Sequence, residues 1–540
     1  MVGAEIRGIG IGREPGSGHV LKWVRAEGID EHRKSSTSVS QEREALVSGI
    51  AAGAKKVREQ GSGGDEHTAD IINALLMIIE DEELVSMAEP HMDAGWDAAT
   101  ALFLALDDLS EMMGDDEDFQ SRVGDLRGIA LTISASIRGI EGGSTIPQSG
   151  SWVIVADDLT PVDTAQFGPS VVGVVTELGG PTSHTAIICR SRGIPAVVSA
   201  KGALELQDGA LVLVDPAGDR VVEGGELSDA TTPISFVAIN DEPLVTVRAN
   251  IGSLDDARTA AATSARGVGL FRTEVLYLDQ KAQPTRAQQA TQFEEIFRAA
   301  PAGKITVRTI DAGSDKPVPF LPNGEEENPA LGVRGFRLGL AHEDFQRDQL
   351  GAIQDAIEAT GRDVQVMAPM ISTVDEARAF SEMARGVGIP SVGIMVETPA
   401  IVPMVPDLVG VVDFLSIGTN DLSQYLFAAD RMHPSMGALV DPWQPGLIRT
   451  IAELLRHAKP AGLPIGVCGE SAADPVFSIV LAGLGVDSVS VAAAAVESVL
   501  DALKSVDLSR AQDVAHAALS ASTPGEAREA ASNCLKREEL

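Results

Sequence analysis

The chain has 540 residues, 44% of them hydrophobic, enough for roughly two to four domains with buried cores and against wholesale disorder. A formal net charge of −36 excludes nucleic acid and anionic membrane surfaces as partners, and any anionic substrate must be met by locally gathered arginines. Three scattered cysteines, Cys189, Cys468 and Cys534, form no disulfide framework and point to a reducing compartment. No basic-then-apolar leader opens the chain and no apolar stretch is long enough to span a bilayer, so a cytoplasmic protein without membrane insertion is expected.

In chain order, residues 5–12 are apolar and Gly-rich, residues 15–18 read as a turn, and residues 20–25 as a strand. Helical periodicity follows. One helix begins near Ser40 with Glu42 and Glu44, and the glycines of residues 61–64 break it. A second covers residues 70–89 and is limited by Pro90; a third covers 96–113 and a fourth 119–137. Short connections between them predict a small helical bundle over residues 31–144. Its acidic runs, residues 80–83 and 115–118, read first as a solvated face, with docking of a basic partner as the alternative.

Strand-like runs return at residues 152–155, 171–175, 196–198 and 211–214. The strands before residue 30 need partners after residue 150. The bundle is therefore expected to interrupt an α/β domain made of residues 1–30 and 145–225, followed by a linker at 226–242. Within the α/β domain, Gly179-Gly180 leads into Pro181-Thr182-Ser183-His184-Thr185 ahead of an apolar run. Paired glycines permit a tight turn, and small hydroxyl residues mark a helix N-terminus, where orphan N–H groups favour an anion. A neutral His184 there would suit phosphorylation; a polar surface turn explains the local pattern equally well.

From residue 243 onward eight apolar runs alternate with helix-length segments: 245–247, 267–271, 305–307, 364–368, 392–396, 414–417, 465–467 and 488–491. This predicts a (β/α)8 barrel over residues 243–540 rather than a doubly wound open sheet. The residues following these runs are polar: Arg272-Thr273-Glu274, Arg308 with Asp311, Glu397, Thr419-Asn420-Asp421, and Cys468-Gly469-Glu470. Arginines offer planar forks to phosphate and carboxylate, and Glu397 with Asp421 offers hard oxygen ligands to Mg2+. Cys468 has the chemistry to pass a proton to carbon, although a buried inert thiol is the blander explanation.

Several of these segments resemble the phosphoenolpyruvate-utilising enzymes. The string from Gly179 to Ile188 is similar to their phosphohistidine segment. Asp413-Phe414-Leu415-Ser416-Ile417-Gly418-Thr419-Asn420-Asp421, continuing to Asp430-Arg431, is similar to their second signature. Gly269 to Glu274, Arg308-Thr309-Ile310-Asp311 with Asp315-Lys316, and Asn328-Pro329 with Gly332 and Arg334 also match. Only about 180 residues precede His184, and they hold no Gly-rich phosphate loop, so the order is similar to enzyme I of the bacterial sugar phosphotransferase system.

The resemblance implies that His184 accepts the phosphoryl group of phosphoenolpyruvate and passes it to the phosphocarrier HPr, which docks on the bundle. It implies that Thr164 orients His184, and that Arg272, Arg308, Arg334, Lys316, Asn420 and Arg431 bind substrate. Glu397 and Asp421 would hold Mg2+, Cys468 would protonate the enolate to pyruvate, and the barrel would carry a homodimer interface. Two departures stand out. Cys189 replaces a small residue beside the histidine; it is expected to be buried and packing-neutral, while adding an oxidisable thiol. Met432-His433-Pro434 replaces a Gly-Asn pair after Arg431.

Overall fold

The computed structural model describes residues 4–12, 14–24, 32–61, 66–112, 117–139, 144–147, 149–180, 183–230, 234–278, 280–314, 316–324, 326–431 and 436–536. The chain divides into two compact units, Met1–Pro233 with Met432–Ala438, and Ile234–Arg431 with Leu439–Leu540.

In the first unit eight strands form one sheet: β1 (Glu5–Arg7), β2 (Ile9–Ile11), β3 (Gly16–Lys22), β4 (Trp152–Ala156), β5 (Val171–Thr176), β6 (Ala196–Val198), β7 (Leu211–Asp215) and β8 (Arg220–Glu223). Their order is β1-β8-β7-β3-β4-β5-β6-β2. The centre from β3 to β6 is parallel, and the flanking pairs are antiparallel. The three N-terminal strands find their partners after residue 150, with His19 opposite Trp152 and Gly16 opposite Val214. The expected turn at residues 15–18 is instead the start of β3. A Cβ at Gly16 would stand 1.9 Å from Val172 O, and one at Gly18 would stand 2.6 Å from Ser151 O. These glycines admit neighbouring backbone rather than bending the chain.

Five helices, not four, make the bundle: α1 (Val39–Gly61), α2 (Glu66–Ile79), α3 (Glu82–Asp93), α4 (Ala98–Met112) and α5 (Glu117–Arg138). The single helix expected over 70–89 breaks because the Asp81 carboxylate accepts from Glu83 N at 2.9 Å and caps a new helix. Pro90 does not end that helix. Proline forfeits only its own N–H there, and its carbonyl still accepts from Ala94 N at 3.0 Å. The first acidic run is spent locally, since Glu80 pairs with Arg58 at 2.5 Å while Asp81 serves as the cap. Asp115 and Asp116 of the second run lie outside the described residues, as do the side chains of Glu117 and Asp118.

The bundle core joins Leu46, Leu75, Leu76, Leu102 and Ile133. Gly49 and Gly53 let α1 approach α5, where a Cβ would meet Ile137 Cγ1 at 2.1 Å and Ile133 Cγ1 at 2.5 Å.

In the second unit eight parallel strands close a barrel: β9 (Thr246–Ile251), β10 (Val268–Arg272), β11 (Ile305–Arg308), β12 (Val364–Ala368), β13 (Val392–Val396), β14 (Phe414–Ile417), β15 (Ile465–Val467) and β16 (Ser488–Val491). Closure pairs Ser488 of β16 with Thr246 of β9. On β9, Val247, Ala249 and Ile251 are buried while Thr246, Arg248 and Asn250 alternate with them on the other face. Outside, Phe271 of the barrel wall meets Phe293 edge-on at 5.9 Å. The crossover from β13 to β14 is a 3-10 segment, Pro399–Leu408, because Pro403 and Pro406 cannot donate the bonds of an α-helix. Among the described residues no helix is long and apolar enough to cross a membrane.

Gly53→Ala would gain about 1 kcal/mol of helix propensity, but its Cβ would press within 2.8 Å of Ile133 Cα. Overpacking costs about 1–3 kcal/mol, so the substitution should lower the urea midpoint of the bundle. A raised midpoint would show that α1 and α5 separate freely.

Candidate active site

His184 opens the helix α7 (His184–Arg192), which follows α6 (Pro161–Ala165) and β5. Gly179 takes φ +82°, a left-handed turn that glycine adopts without strain. Ser183 is the N-cap, with its Oγ accepting from Ala186 N at 3.3 Å. Pro181, Thr182 and the His184 side chain lie outside what the structure describes. Thr164 is buried in α6, and its hydroxyl donates to Pro161 O at 3.1 Å. Its carbonyl accepts from Arg192 Nη1 at 3.0 Å, which ties α6 to the far end of α7. Cys189 is buried, and burial pushes its thiol up to about 12, so it stays protonated and poorly reactive. The oxidisable thiol expected there is shielded by its own packing.

At the C-terminal ends of the barrel strands an ion network is sealed from water. Arg308 closes β11, pairing with Glu274 Oε1 at 2.5 Å and Asp311 Oδ2 at 2.8 Å. Arg334 reaches Asp311 at 3.1 and 3.2 Å on one side, and Asp421 at 3.3 and 3.2 Å on the other. Arg431 Nη2 stands 3.9 Å from Asp421 Oδ1. Burial opposes ionisation of Asp421, but Arg431 and Arg334 outweigh it and hold the carboxyl below its ordinary value. Asp311 is held low as well: burial is overcome by Arg308, Arg334 and Lys316. Lys316 thus acts electrostatically on both aspartates.

Glu397, just past β13, accepts from Met370 N at 2.6 Å through Oε1. Its Oε2 is buried and has no hydrogen-bond partner. Burial first, then the Asp311 and Asp421 carboxylates, push the Glu397 carboxyl up to about 8. A sealed acceptor crowded by like charge is an environment that a divalent cation relieves. Among the described residues no group of three or more His, Cys, Asp or Glu side chains is arranged to hold a metal. Two carboxylates remain, a number that suits Mg2+, which takes the rest of its shell from water and substrate oxygens.

Arg272 ends β10 exposed and has no side-chain partner among the described residues. Asn420 sits in the helix Thr419–Phe427 after β14, and its Oδ1 accepts from Glu470 N at 3.1 Å. Cys468 follows β15 and is buried. Its thiol donates to Ile417 O at 3.5 Å, and Ser416 Oγ donates to its sulfur at 3.4 Å. Burial pushes it up to about 11, so it carries its proton at neutral pH.

The rim therefore gathers Arg308, Arg334, Lys316, Asp421, Glu397 and Arg431 into one electrostatic group. His184 and Thr164 belong to the other unit. Met432, His433 and Pro434 lie outside the described residues, as does Asp315.

Sequence reasoning missed Met370 and the tasks of three residues it did name. Met370 holds φ +58°, a left-handed conformation unusual for a side chain of that size, and so aims its N–H at Glu397. Nothing in the residues around Met370 signals it. Glu274 and Asp311 were visible as rim residues, but their task of neutralising Arg308 was not. Ser416 was quoted as a strand and signature residue, without its contact to the Cys468 sulfur.

Cys468 and Cys189 are buried, whereas Cys534 is partly exposed. Iodoacetamide at neutral pH should therefore label Cys534 first in the native protein and all three thiols only after denaturation, read by peptide mass. Early labelling of Cys468 would contradict its buried, protonated state.

Comparison with known proteins places these parts in a family. Three family profiles match in chain order: the N-terminal domain of PEP-utilising enzymes over residues 7–122, their mobile domain over 149–218, and their PEP-binding domain over 230–508. A phosphoenolpyruvate-protein phosphotransferase of Streptomyces coelicolor is 37% identical over 99% of both chains. One from Haloferax volcanii is 37% identical over 86% of both. One from Geobacillus stearothermophilus is 33% identical over 89% of this chain and 91% of its own. With three family profiles matched in chain order and identities of 33–37% over 86–99% of its length, the chain belongs to the phosphoenolpyruvate-protein phosphotransferases, among the PEP-utilising enzymes.

Proposed function

We propose that the chain takes the phosphoryl group of phosphoenolpyruvate onto His184, releases pyruvate, and passes the group to a histidine of HPr. The observation that carries this reading is the barrel rim, where Arg308 and Arg334 are locked by Glu274, Asp311 and Asp421 beside the unpartnered Arg272. Locked guanidiniums present a fixed array of donors to an incoming phosphate and carboxylate, and fixed donors cost no reorganisation as charge develops.

In the first step the bond between phosphorus and the enol oxygen breaks while a bond forms from phosphorus to an imidazole nitrogen of His184. Arg272, Arg308, Arg334 and Lys316 bear the charge spread over the phosphoryl oxygens. Asn420 and Arg431 hold the substrate in register. Glu397 and Asp421 would hold Mg2+, which when bound supplies further neutralisation of phosphate charge. The enolate is then protonated at carbon by Cys468, whose proton is retained until that point. Ser416, donating to the sulfur at 3.4 Å, supports the thiolate left behind until solvent restores the proton.

Histidine and rim stand in separate units, so the reading requires the histidine-bearing domain, residues 1–30 and 145–225, to travel about the 226–242 linker. The bundle of residues 31–144 would dock HPr, and Thr164 would orient His184. The barrel of residues 243–540 would pair as a homodimer. Three unpaired cysteines fit the cytoplasm.

Label from phosphorus-32 phosphoenolpyruvate, given with Mg2+ and no nucleotide, should appear on wild type but not on His184→Ala, be acid-labile, and chase onto added HPr. Label on both proteins, or label that does not chase, would refute the reading. Cys468→Ala should keep the label transfer while slowing pyruvate formation by about 100-fold or more, the ordinary worth of a general acid. Because the nucleophile must be neutral, autophosphorylation should fall on acidification; a profile flat down to about pH 5 would contradict it.

A further inference from the structure

The barrel holds a second polar chamber at its opposite end. A cavity of about 220 Å³ is bordered by Lys304, Ser391, Asp413, Pro464 and Asp487. Each of these directly precedes a barrel strand, so the cavity sits at the N-terminal mouth. Arg308, Arg334, Glu397 and Asp421 do not line it; Ser416, whose hydroxyl donates to the Cys468 sulfur, stands between the two ends and borders it. An apolar layer of Leu270, Met367, Met395, Phe414 and Cys468 crosses the barrel interior, and of these only Phe414 also borders the cavity.

Arg248 of β9 projects into this chamber. Its Nε is sealed from solvent and makes no hydrogen bond, and the guanidinium has no ion pair with any described residue. The nearby charges are already engaged. Asp413 accepts from Arg385 at 2.9 Å and from Val392 N at 2.8 Å. Asp487 accepts from Lys459 and from Ile465 N, both at 2.7 Å. Lys304 is held by Asp363 at 2.8 Å. Asp363 and Asp487 act on Arg248 only at a distance, and burial outweighs them, lowering its pKa from the usual value.

The two buried arginines of the opposite end, Arg308 and Arg334, both carry carboxylate partners, whereas Arg248 has none among the described residues. Thr306, Gln365 and Ser488 add hydroxyl and amide groups around it. A fork of donors facing a polar chamber, with the local acids already satisfied, lacks an acceptor. We propose that the N-terminal mouth of the barrel is a binding site for a small oxyanion, phosphate or carboxylate, held by Arg248 with Thr306 and Ser488, and separate from the catalytic rim. The volume admits one phosphate-sized group with a few waters. The site does not depend on the phosphotransfer reading above.

The test is calorimetric titration of the full-length protein with inorganic phosphate, comparing wild type with Arg248→Met and Arg248→Gln. Phosphate meets the catalytic rim in all three, so the difference reports the cavity. The expected result is two classes of site in wild type, one of them weakened at least tenfold in both variants, with phosphotransfer activity retained. In phosphate-free buffer Arg248→Met should melt no lower than wild type, since it removes a cation without a partner. Superimposable isotherms, or a single class of site in wild type, would assign the chamber to water and overturn the proposal. Failure of both variants to fold would overturn it too, by showing that Arg248 is a structural support.

Discussion

The buried ion network at the C-terminal mouth of the barrel is the constraint on which the rest of this structure turns. Two guanidiniums, Arg308 and Arg334, face Glu274, Asp311 and Asp421, all nearly inaccessible to water. Removing one partner of such a network leaves an unpaired buried charge at a cost of about 3–5 kcal/mol. Each residue is therefore tied to its neighbours' presence as much as to any ligand. The network comes from four separate segments: the residues after β10, the end of β11, the loop before residue 336, and the helix after β14. Only a closed barrel brings these to one place. Glu397 has no arginine of its own: one oxygen accepts from Met370 N and the other is orphaned among the described residues. Glu274 Oε2 and Arg308 Nε in the same network are also buried without a partner among the described residues, so the site holds both acceptors and a donor open to a ligand.

Backbone conformation supports that arrangement. Met370 holds a left-handed φ of +58° so that its N–H meets Glu397. Gly335 stands against it at φ +61°, where a Cβ would approach Met370 Cβ to 2.9 Å. Glycine there is a requirement of close approach as well as of the turn. Cys468 shows the same economy: Ser416 and Ile417, adjacent on β14, hold its sulfur from two sides.

Much of this was legible in the chain. All eight barrel strands were visible as short apolar runs, seven of them with both ends placed within a residue, because a strand buried on both faces reads as an unbroken run of Val, Ile and Leu. The N-terminus of α7 was visible from Ser183 and the glycines before it, since capping chemistry is local. The first unit was harder. Glycines at positions 16 and 18 look like a turn until the strands beside them are known. Asp81 and Pro90 likewise carried opposite meanings from those expected, because one side chain bonded its own helix and the other cost only one N–H.

The sequence by itself determined which elements form, which residues stand at the ends of the strands, and which family the motifs resemble, since periodicity, capping and short motifs act over a few residues. Only the tertiary structure decided which charges are paired and which are left over. Arg308 and Arg248 are both strand arginines in a barrel, indistinguishable by local pattern. One meets a carboxylate from the neighbouring strand's end, Glu274, besides its own Asp311, and the other faces an open chamber. Pairing and burial are properties of the closed barrel, because the interaction of two charges depends on the distance and medium between them, and neither exists until the chain has folded.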